Sequence, residues 1–367
     1  MRTILHFLFF SIQTLTSMAQ PTEIETALEK IIAKTVDGKK IKGVSFAIKK
    51  GDFYWQGAAG NLQINDQYFI ASCTKLFTTA IIMQLRSSGK ISLEDRISKY
   101  IDPDIMKGLL IYKGKDYSGE ITVRHLLAHT SGLPDYFSQK GSDNKILQNE
   151  ITSGIDQQFT FEQAMERTKL MKPFFKPGSP NKANYSDANF QLLGKIIEKI
   201  TRSSFKETCT EMIIHKLRIE KTYVYSDPAD RKPKNINYKN QELSIPFAMS
   251  STGPDGGIVS TSGEMIKFIE AFFTGQLFPI EYIKEMQEWN RIFFPFKYGI
   301  GIQYLKLPWF FDPTGGIPAF IGHTGLSGSV SFYVPKYNIF ITGTTNQAAH
   351  PDKAVRLMIQ LIMKSVK

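Results

Sequence analysis

Strand-like segments lie at the two ends of this chain, and helical segments fill the stretch between them. Early on, "EIETALEKIIAKTV" (residues 23–36) has apolar residues at helical spacing, and "GVSFAIKKGDFYWQGAAG" (residues 43–60) alternates and turns near residues 50–52. That alternation reads as a β-hairpin. Strands return in the last third with "YGIGIQYL" (298–305), "AFIGHTG" (319–325), "SVSFYVP" (329–335) and "NIFITGTTN" (338–346), and a helix over 352–363 closes the chain. The economical packing joins early and late strands in one antiparallel sheet flanked by the terminal helices, an α+β arrangement. The sheet lobe is then expected to take about residues 20–70 and 291–367, and a mostly helical central lobe about residues 71–290. A cleft between the lobes is where a site belongs.

In the central part, Thr122 starts a helix that should stop at Gly132, Leu133 and Pro134. Thr160 with Gln163 and Thr261 with Glu264 read as capping boxes, and residues 188–200 as an amphipathic helix. Polar loops over 136–159 and 226–244 separate these elements.

With 367 residues and 42% hydrophobic content, the chain can bury a sizeable core. Residues 1–19 read as a secretory signal peptide: Arg2, then the apolar "ILHFLFFSI", then small residues around "SMAQ". The expected product starts near Gln20 and is exported, periplasmic or secreted, with no stable membrane insertion. The net charge of +11 is scattered, which suits a solvated basic surface with at most weak attraction to an anionic envelope. No nucleic-acid motif accompanies it. The two cysteines, Cys73 and Cys209, are expected to stay unpaired, with Cys73 in the core.

"ASCTKLFTTAIIMQL" (71–85) concentrates chemistry in an otherwise apolar helix. Ser-x-x-Lys spacing also occurs at Ser87, Ser142, Ser179 and Ser203, but only Ser72 opens a helix with almost no polar face. There Lys75 would be carried into a buried wall, and desolvation would lower its pKa toward that of a base. The same stretch also suits a plain helix start whose lysine snorkels to solvent. Tyr185 precedes a helix in "NYSDANFQLLG", and a phenol near a lysine loses its proton more easily and can relay it. "GHTGLSGSV" places His323, Thr324 and Gly325 at a strand end, where glycine allows close backbone approach to an oxyanion. Other spellings read as background. "SDN" (142–144) sits in a polar loop, His125 and His129 lack a third ligand, "PDGG" lacks a phosphate-loop lysine, and no G-x-S-x-G occurs.

Together Ser72–Lys75, Tyr185–Asp187 and His323–Gly325 resemble the motif set of the serine hydrolase superfamily of class C β-lactamases, D,D-peptidases and related esterases. The linking stretches "GKISLEDRISKYI", "ITVRHLLAHTSGLPDY" and "GPDGGIVST" are similar as well. The resemblance implies the two-lobed β-lactamase/transpeptidase-like fold and an acyl-enzyme mechanism with no metal or organic cofactor. Ser72 would be the nucleophile, Lys75 its partner and Tyr185 the proton shuttle. The backbone N–H groups of Ser72 and Leu326 would form the oxyanion hole. Two departures bear on activity. Asp187 stands where asparagine is common, removing an amide donor and favouring a charged Lys75, which passes base duty to Tyr185. His323 stands where class C β-lactamases have lysine, which weakens anchoring of a substrate carboxylate. The implied substrate is a small molecule or peptide, with cell wall as one source, and peptidase or esterase chemistry comes ahead of β-lactamase chemistry. A non-catalytic binder of penicillins or wall peptides is the reading from another class. Loops 136–159 and 293–314 would set specificity.

Overall fold

The computed structural model describes residues 22–366, so the expected signal peptide lies outside the described residues. Five longer helices are α1 (Glu23–Thr35), α2 (Thr74–Ser87), α3 (Asp187–Thr201), α4 (Ser262–Phe273) and α5 (Asp352–Ser365). The main sheet is built from β1 (Gly43–Lys50), β2 (Phe53–Gly60), β3 (Asn290–Arg291), β4 (Phe296–Tyr298), β5 (Gln303–Leu305), β6 (Phe320–Gly325), β7 (Ser329–Val334) and β8 (Ile339–Thr344). Its order is β3-β4-β5-β6-β7-β8-β1-β2, antiparallel throughout. The early hairpin therefore pairs with the last strand, from Ser45 opposite Thr344 to Lys50 opposite Ile339.

Period-two burial explains the sheet's two coats. Val44, Phe46 and Ile48 of β1 point at one core with Phe332, Val334, Ile339 and Ile341, beneath Leu28 and Ile32 of α1 and Leu357, Met358 and Leu361 of α5. The opposite face carries α4, with Phe268, Ile269 and Phe272 buried. Placing residues 262–273 in the helical lobe thus needs correction. Two bonds pin the start of α4 to the sheet: Thr342 Oγ1 donates to the Ser262 carbonyl at 2.6 Å, and Ser262 Oγ donates to the Ser45 carbonyl at 2.9 Å.

Local chemistry accounts for three more differences. The single strand expected over 298–305 is a tight hairpin, Tyr298 pairing with Gln303. Gly301 turns it at φ +74°, and a Cβ there would lie 2.2 Å from Thr79 Oγ1. The helix begun by Thr122 ends at Leu127, because His129 is left-handed at φ +56°. Thr261 caps α4 through Glu264 N, but the Glu264 carboxylate instead accepts from Lys221 N and Thr222 Oγ1, so the reciprocal half of the box is missing. The expected polar loops hold a short helix (Leu147–Thr152) and a small hairpin of Ile236–Tyr238 with Gln241–Leu243. Cys73 and Cys209 are both free and buried. No helix among the described residues is long and apolar enough to cross a membrane.

Candidate active site

A turn of 3-10 helix, Ala71–Cys73, leads into α2 and sets Ser72 at its mouth. Ala71 takes a left-handed φ of +45°, uncommon for a residue with a side chain. It is held there from β6, where a Cβ on Gly325 would sit 2.4 Å from the Ile70 carbonyl and 3.2 Å from Ala71 Cβ. Only glycine lets the strand come so near the nucleophile. Behind Ser72, Cys73 Sγ meets the His323 carbonyl at 3.3 Å, and burial pushes its thiol up to about 12. This sulfur is a packing group.

As the apolar pattern of 71–85 requires, α2 is enclosed on nearly every side and Lys75 is fully buried. Its ammonium has three donors and three acceptors: Ser72 Oγ at 3.3 Å, the Asp255 carbonyl at 2.7 Å and Asp187 Oδ1 at 2.6 Å. The Asp187 contact lies off the hydrogen-bond direction, and that oxygen has no other partner. Burial alone would lower the Lys75 pKa, but the Asp187 and Asp255 carboxylates outweigh it and raise it above its ordinary value. The base-like lysine that the apolar helix alone suggests is not what results; Asp187 favours the charged form, and the Lys75 ammonium donates to Ser72.

The segment spelled "PDGG" is what reaches Lys75. Threonines of α2 peg it down, Thr78 Oγ1 donating to the Pro254 carbonyl at 2.6 Å and Thr74 Oγ1 accepting from Ile258 N at 3.1 Å. The side chain of Asp255 turns the other way and accepts from Tyr136 Oη at 2.8 Å and Gln191 Nε2 at 3.1 Å. Burial, then Asp187, raises its pKa well above the carboxylate range.

Tyr185 stands across from Lys75, whose Nζ is 5.2 Å from its ring centroid. His129 at 4.4 Å and Tyr298 at 6.0 Å back the ring. Burial, then the Asp187 charge, raises the phenol pKa well above its usual value, and the hydrogen bond to Ser72 is the influence that lowers it. The expectation of a more acidic phenol is corrected too. Asp187 opens α3, where the helix dipole favours a carboxylate, and its N–H donates to Asp135 Oδ1 at 3.0 Å. Asp135 is itself raised to about 6 by burial and by Asp187.

His323 is fully buried and faces away from the cleft. Tyr298 Oη lies 3.0 Å from its Nε2, and Nδ1 bonds the Thr324 carbonyl at 2.6 Å. Burial, then the Lys75 charge, pulls it down to about 3. It cannot anchor a substrate carboxylate from there, so that expectation moves to its neighbours. Thr324, Gly325 and Leu326 line the cleft, and Thr324 N and Oγ1 both donate to Gln303 Oε1 at 3.0 Å. Neither Ser72 N–H nor Leu326 N–H meets an acceptor among the described residues, which leaves both free for an oxyanion. Two cavities share Ser72, Phe137, Asp187 and Leu326 in their walls. One, of about 80 Å³, is apolar and lined by Ile151, Ile236, Ile245 and Met249. The other, of about 350 Å³, is lined by Asp135, Tyr185, Phe293 and Gln303. Among the described residues, no cluster of three His, Cys, Asp or Glu side chains is arranged to hold a metal.

Sequence reasoning missed Asp135, Asp255, Gln303, Tyr298 and the packing role of His129. The last was weighed as a zinc-like partner of His125 on one helix. It lies past the helix end and accepts Asn189 Nδ2 at 2.9 Å and Ser186 N at 3.2 Å, while His125 Nδ1 accepts from Thr122 N.

Comparison with known proteins bears on the family and the fold. Protein flp of Staphylococcus aureus (strain MW2) is 28% identical over 238 residues, 62% of this chain. The match spans 42% of that relative's length. A D-stereospecific amidohydrolase from Streptomyces sp. superposes with a TM-score of 0.73 at 25% identity, covering 90% of this chain and 97% of its own. EstCE1, a hydrolase with promiscuous acyltransferase activity, superposes at 0.75 with 17% identity, covering 94% and 98%. The Beta-lactamase family model matches residues 28–362, nearly the whole described chain, and this protein therefore belongs to the beta-lactamase family of the serine hydrolase β-lactamase/transpeptidase superfamily.

Proposed function

We propose that this chain is an exported serine hydrolase that forms an acyl-enzyme on Ser72 and cleaves amide or ester substrates in the manner of a D,D-peptidase or esterase. One observation carries the reading: the Ser72 hydroxyl accepts from Lys75, shares a cavity wall with Tyr185, and lies at the junction of two cavities beside two free N–H donors. The D-stereospecific amidohydrolase likeness, over most of both chains, supports an amide substrate.

The protonation pattern shapes the chemistry. Lys75 is charged and Tyr185 is neutral, so neither takes the Ser72 proton outright. A neutral phenol still works as a two-way relay. Its oxygen accepts the Ser72 proton as its own proton passes to the departing nitrogen or oxygen. The Lys75 ammonium steadies the charge in between, and each oxyanion donor contributes on the order of 3 kcal/mol to the tetrahedral state. Water then releases the acyl group, with the phenol relaying in reverse.

The test is a burst assay on a chromogenic ester, with intact-mass detection of the adduct. Ser72→Ala should lose the adduct and at least about 10⁴-fold in rate while its unfolding temperature holds. An adduct that survives the substitution removes Ser72 from the mechanism. The second reading, a binder, is favoured by that same pattern of protonated Lys75 and Tyr185. Stoichiometric product release with no steady state would establish it. Export is tested separately by N-terminal sequencing of the cell-exported form, expected to begin near Gln20; a form retaining residues 1–19 overturns it.

A further inference from the structure

Five aromatic side chains on two neighbouring loops are left bare at the sheet edge. Phe293 is 46% exposed, Phe294 68%, Trp309 78%, Phe310 54% and Phe311 60%. They form one surface. Phe294 stacks on Phe310 at 6.1 Å and lies 6.3 Å from Phe311, and Trp309 sits 6.1 Å from Phe310. At its inner end Phe293 lines the larger cavity and lies 6.1 Å from Tyr185. Together they expose on the order of 500 Å² of aromatic surface, at the upper end of what a soluble monomer leaves bare.

Charge selects the occupant. In segments 290–297 and 306–313, Arg291 and Lys297 are exposed, and the one acidic side chain, Asp312, is buried. Asp312 accepts Gly316 N and Ile317 N from its own turn and lies 3.8 Å from Lys306. Glu288, just before, is drawn off by Arg124 at 3.2 Å. The patch therefore presents aromatic rings and cations without a competing anion, on a chain of net charge +11. That charge opposes pairing with a second copy. It suits an anionic lipid surface, where rings settle at the headgroup boundary and cations meet phosphate.

We infer that this aromatic edge is a peripheral docking site for an anionic lipid bilayer, with the cleft mouth held at the membrane surface through Phe293. The docking is interfacial and needs no spanning segment. It stands apart from the reading of Ser72, because lipid binding does not require the nucleophile.

The experiment uses the full chain with vesicles of phosphatidylglycerol and phosphatidylcholine in equal parts, and with phosphatidylcholine alone. The chain should co-sediment with the anionic vesicles, less with the neutral ones, and less at high salt. The triple variant W309A/F310A/F311A should lower anionic partition at least about tenfold, while the unfolding temperature stays unchanged. The N-terminal apolar stretch is the same in both proteins, so the difference belongs to the patch. Lipid-borne quenchers should dim tryptophan emission in the parent and far less in Trp309→Phe, which should still partition. Equal partition of parent and triple variant overturns the inference, as does absence of an anionic preference. A self-associated parent that the triple variant makes monomeric, with no vesicle binding by either, assigns the patch to a second copy instead.

Discussion

Lys75 Nζ lies 2.6 Å from Asp187 Oδ1 and 3.3 Å from Ser72 Oγ, so the lysine beside the nucleophile is already neutralised by a carboxylate. Lys75 of one motif and Asp187 of another thus form a closed ion pair beside Ser72. Asp187→Asn removes the largest influence raising the Lys75 pKa and leaves burial to lower it. The variant should gain a rising limb in its pH–rate profile at a pH where the parent shows none, up to about tenfold per pH unit, as a neutral Lys75 begins to accept the Ser72 proton. The parent should be flat there. Profiles of acyl-adduct formation on both proteins check it, and a parent with the same limb refutes the charged-lysine account.

The same pair makes a stability prediction. Lys75→Met leaves the Asp187 carboxylate beside Asp135 and Asp255 with no cation, a loss of about 3 kcal/mol for a buried pair broken on one side. Adding Asp187→Asn should recover most of it, since both charges are then gone. Urea unfolding of the two single variants and the double variant closes the cycle, and additive losses would mean that the two groups are uncoupled.

How much of this was legible beforehand depended on whether a residue's role is local. Ser72 and Lys75 stood out because their pair opens an apolar helix, whereas Tyr185 and Asp187 were singled out through the resemblance to a family motif set, and the structure brings the four side chains together. The sheet joining both chain ends was legible too, because strand alternation is local and the chain has few ways to cover such strands. Asp255 was not legible: it serves Lys75 through a backbone carbonyl, which any residue type supplies, and its side chain serves Tyr136. Gln303 was hidden because its value lies in pairing opposite Gly322, a register no local pattern reveals. His323 was found but misjudged, since spacing says which strand it is on and not that Tyr298 closes over it.

His323 gives a pH prediction for folding. Its folded pKa of about 3 lies below the unfolded value near 6.5, so the unfolded chain takes a proton first as pH falls. The stability it contributes is full above about pH 6.5 and drains as pH falls toward 3, by up to about 1.4 kcal/mol per pH unit. Asp135, raised to about 6, acts in the opposite sense, so the total curve mixes both. The difference between parent and His323→Gln in urea midpoint across that window isolates the histidine. That difference should shrink as pH falls, and a constant one would mean that the imidazole is not held neutral.

The small apolar cavity beside Ser72 predicts acyl selectivity. Met249 lines it, and Met249→Trp should fill much of its roughly 80 Å³. Esters with a bulky apolar acyl group should lose about tenfold in kcat/KM, while acetyl esters change little. Kinetics on an acyl-length series decide. Equal losses across the series would place the acyl group in the larger cavity.

The pairing of β1 with β8 constrains the timing of assembly. Residues 45–50 wait for residues 339–344 before the middle of the sheet can knit together. The turn holding Ser72 rests on Gly325 and Ser329, so it too lacks its support until then. A half-made chain therefore carries a serine with no machinery around it. Reactivity appears only when residues 339–344 have emerged and met the early hairpin.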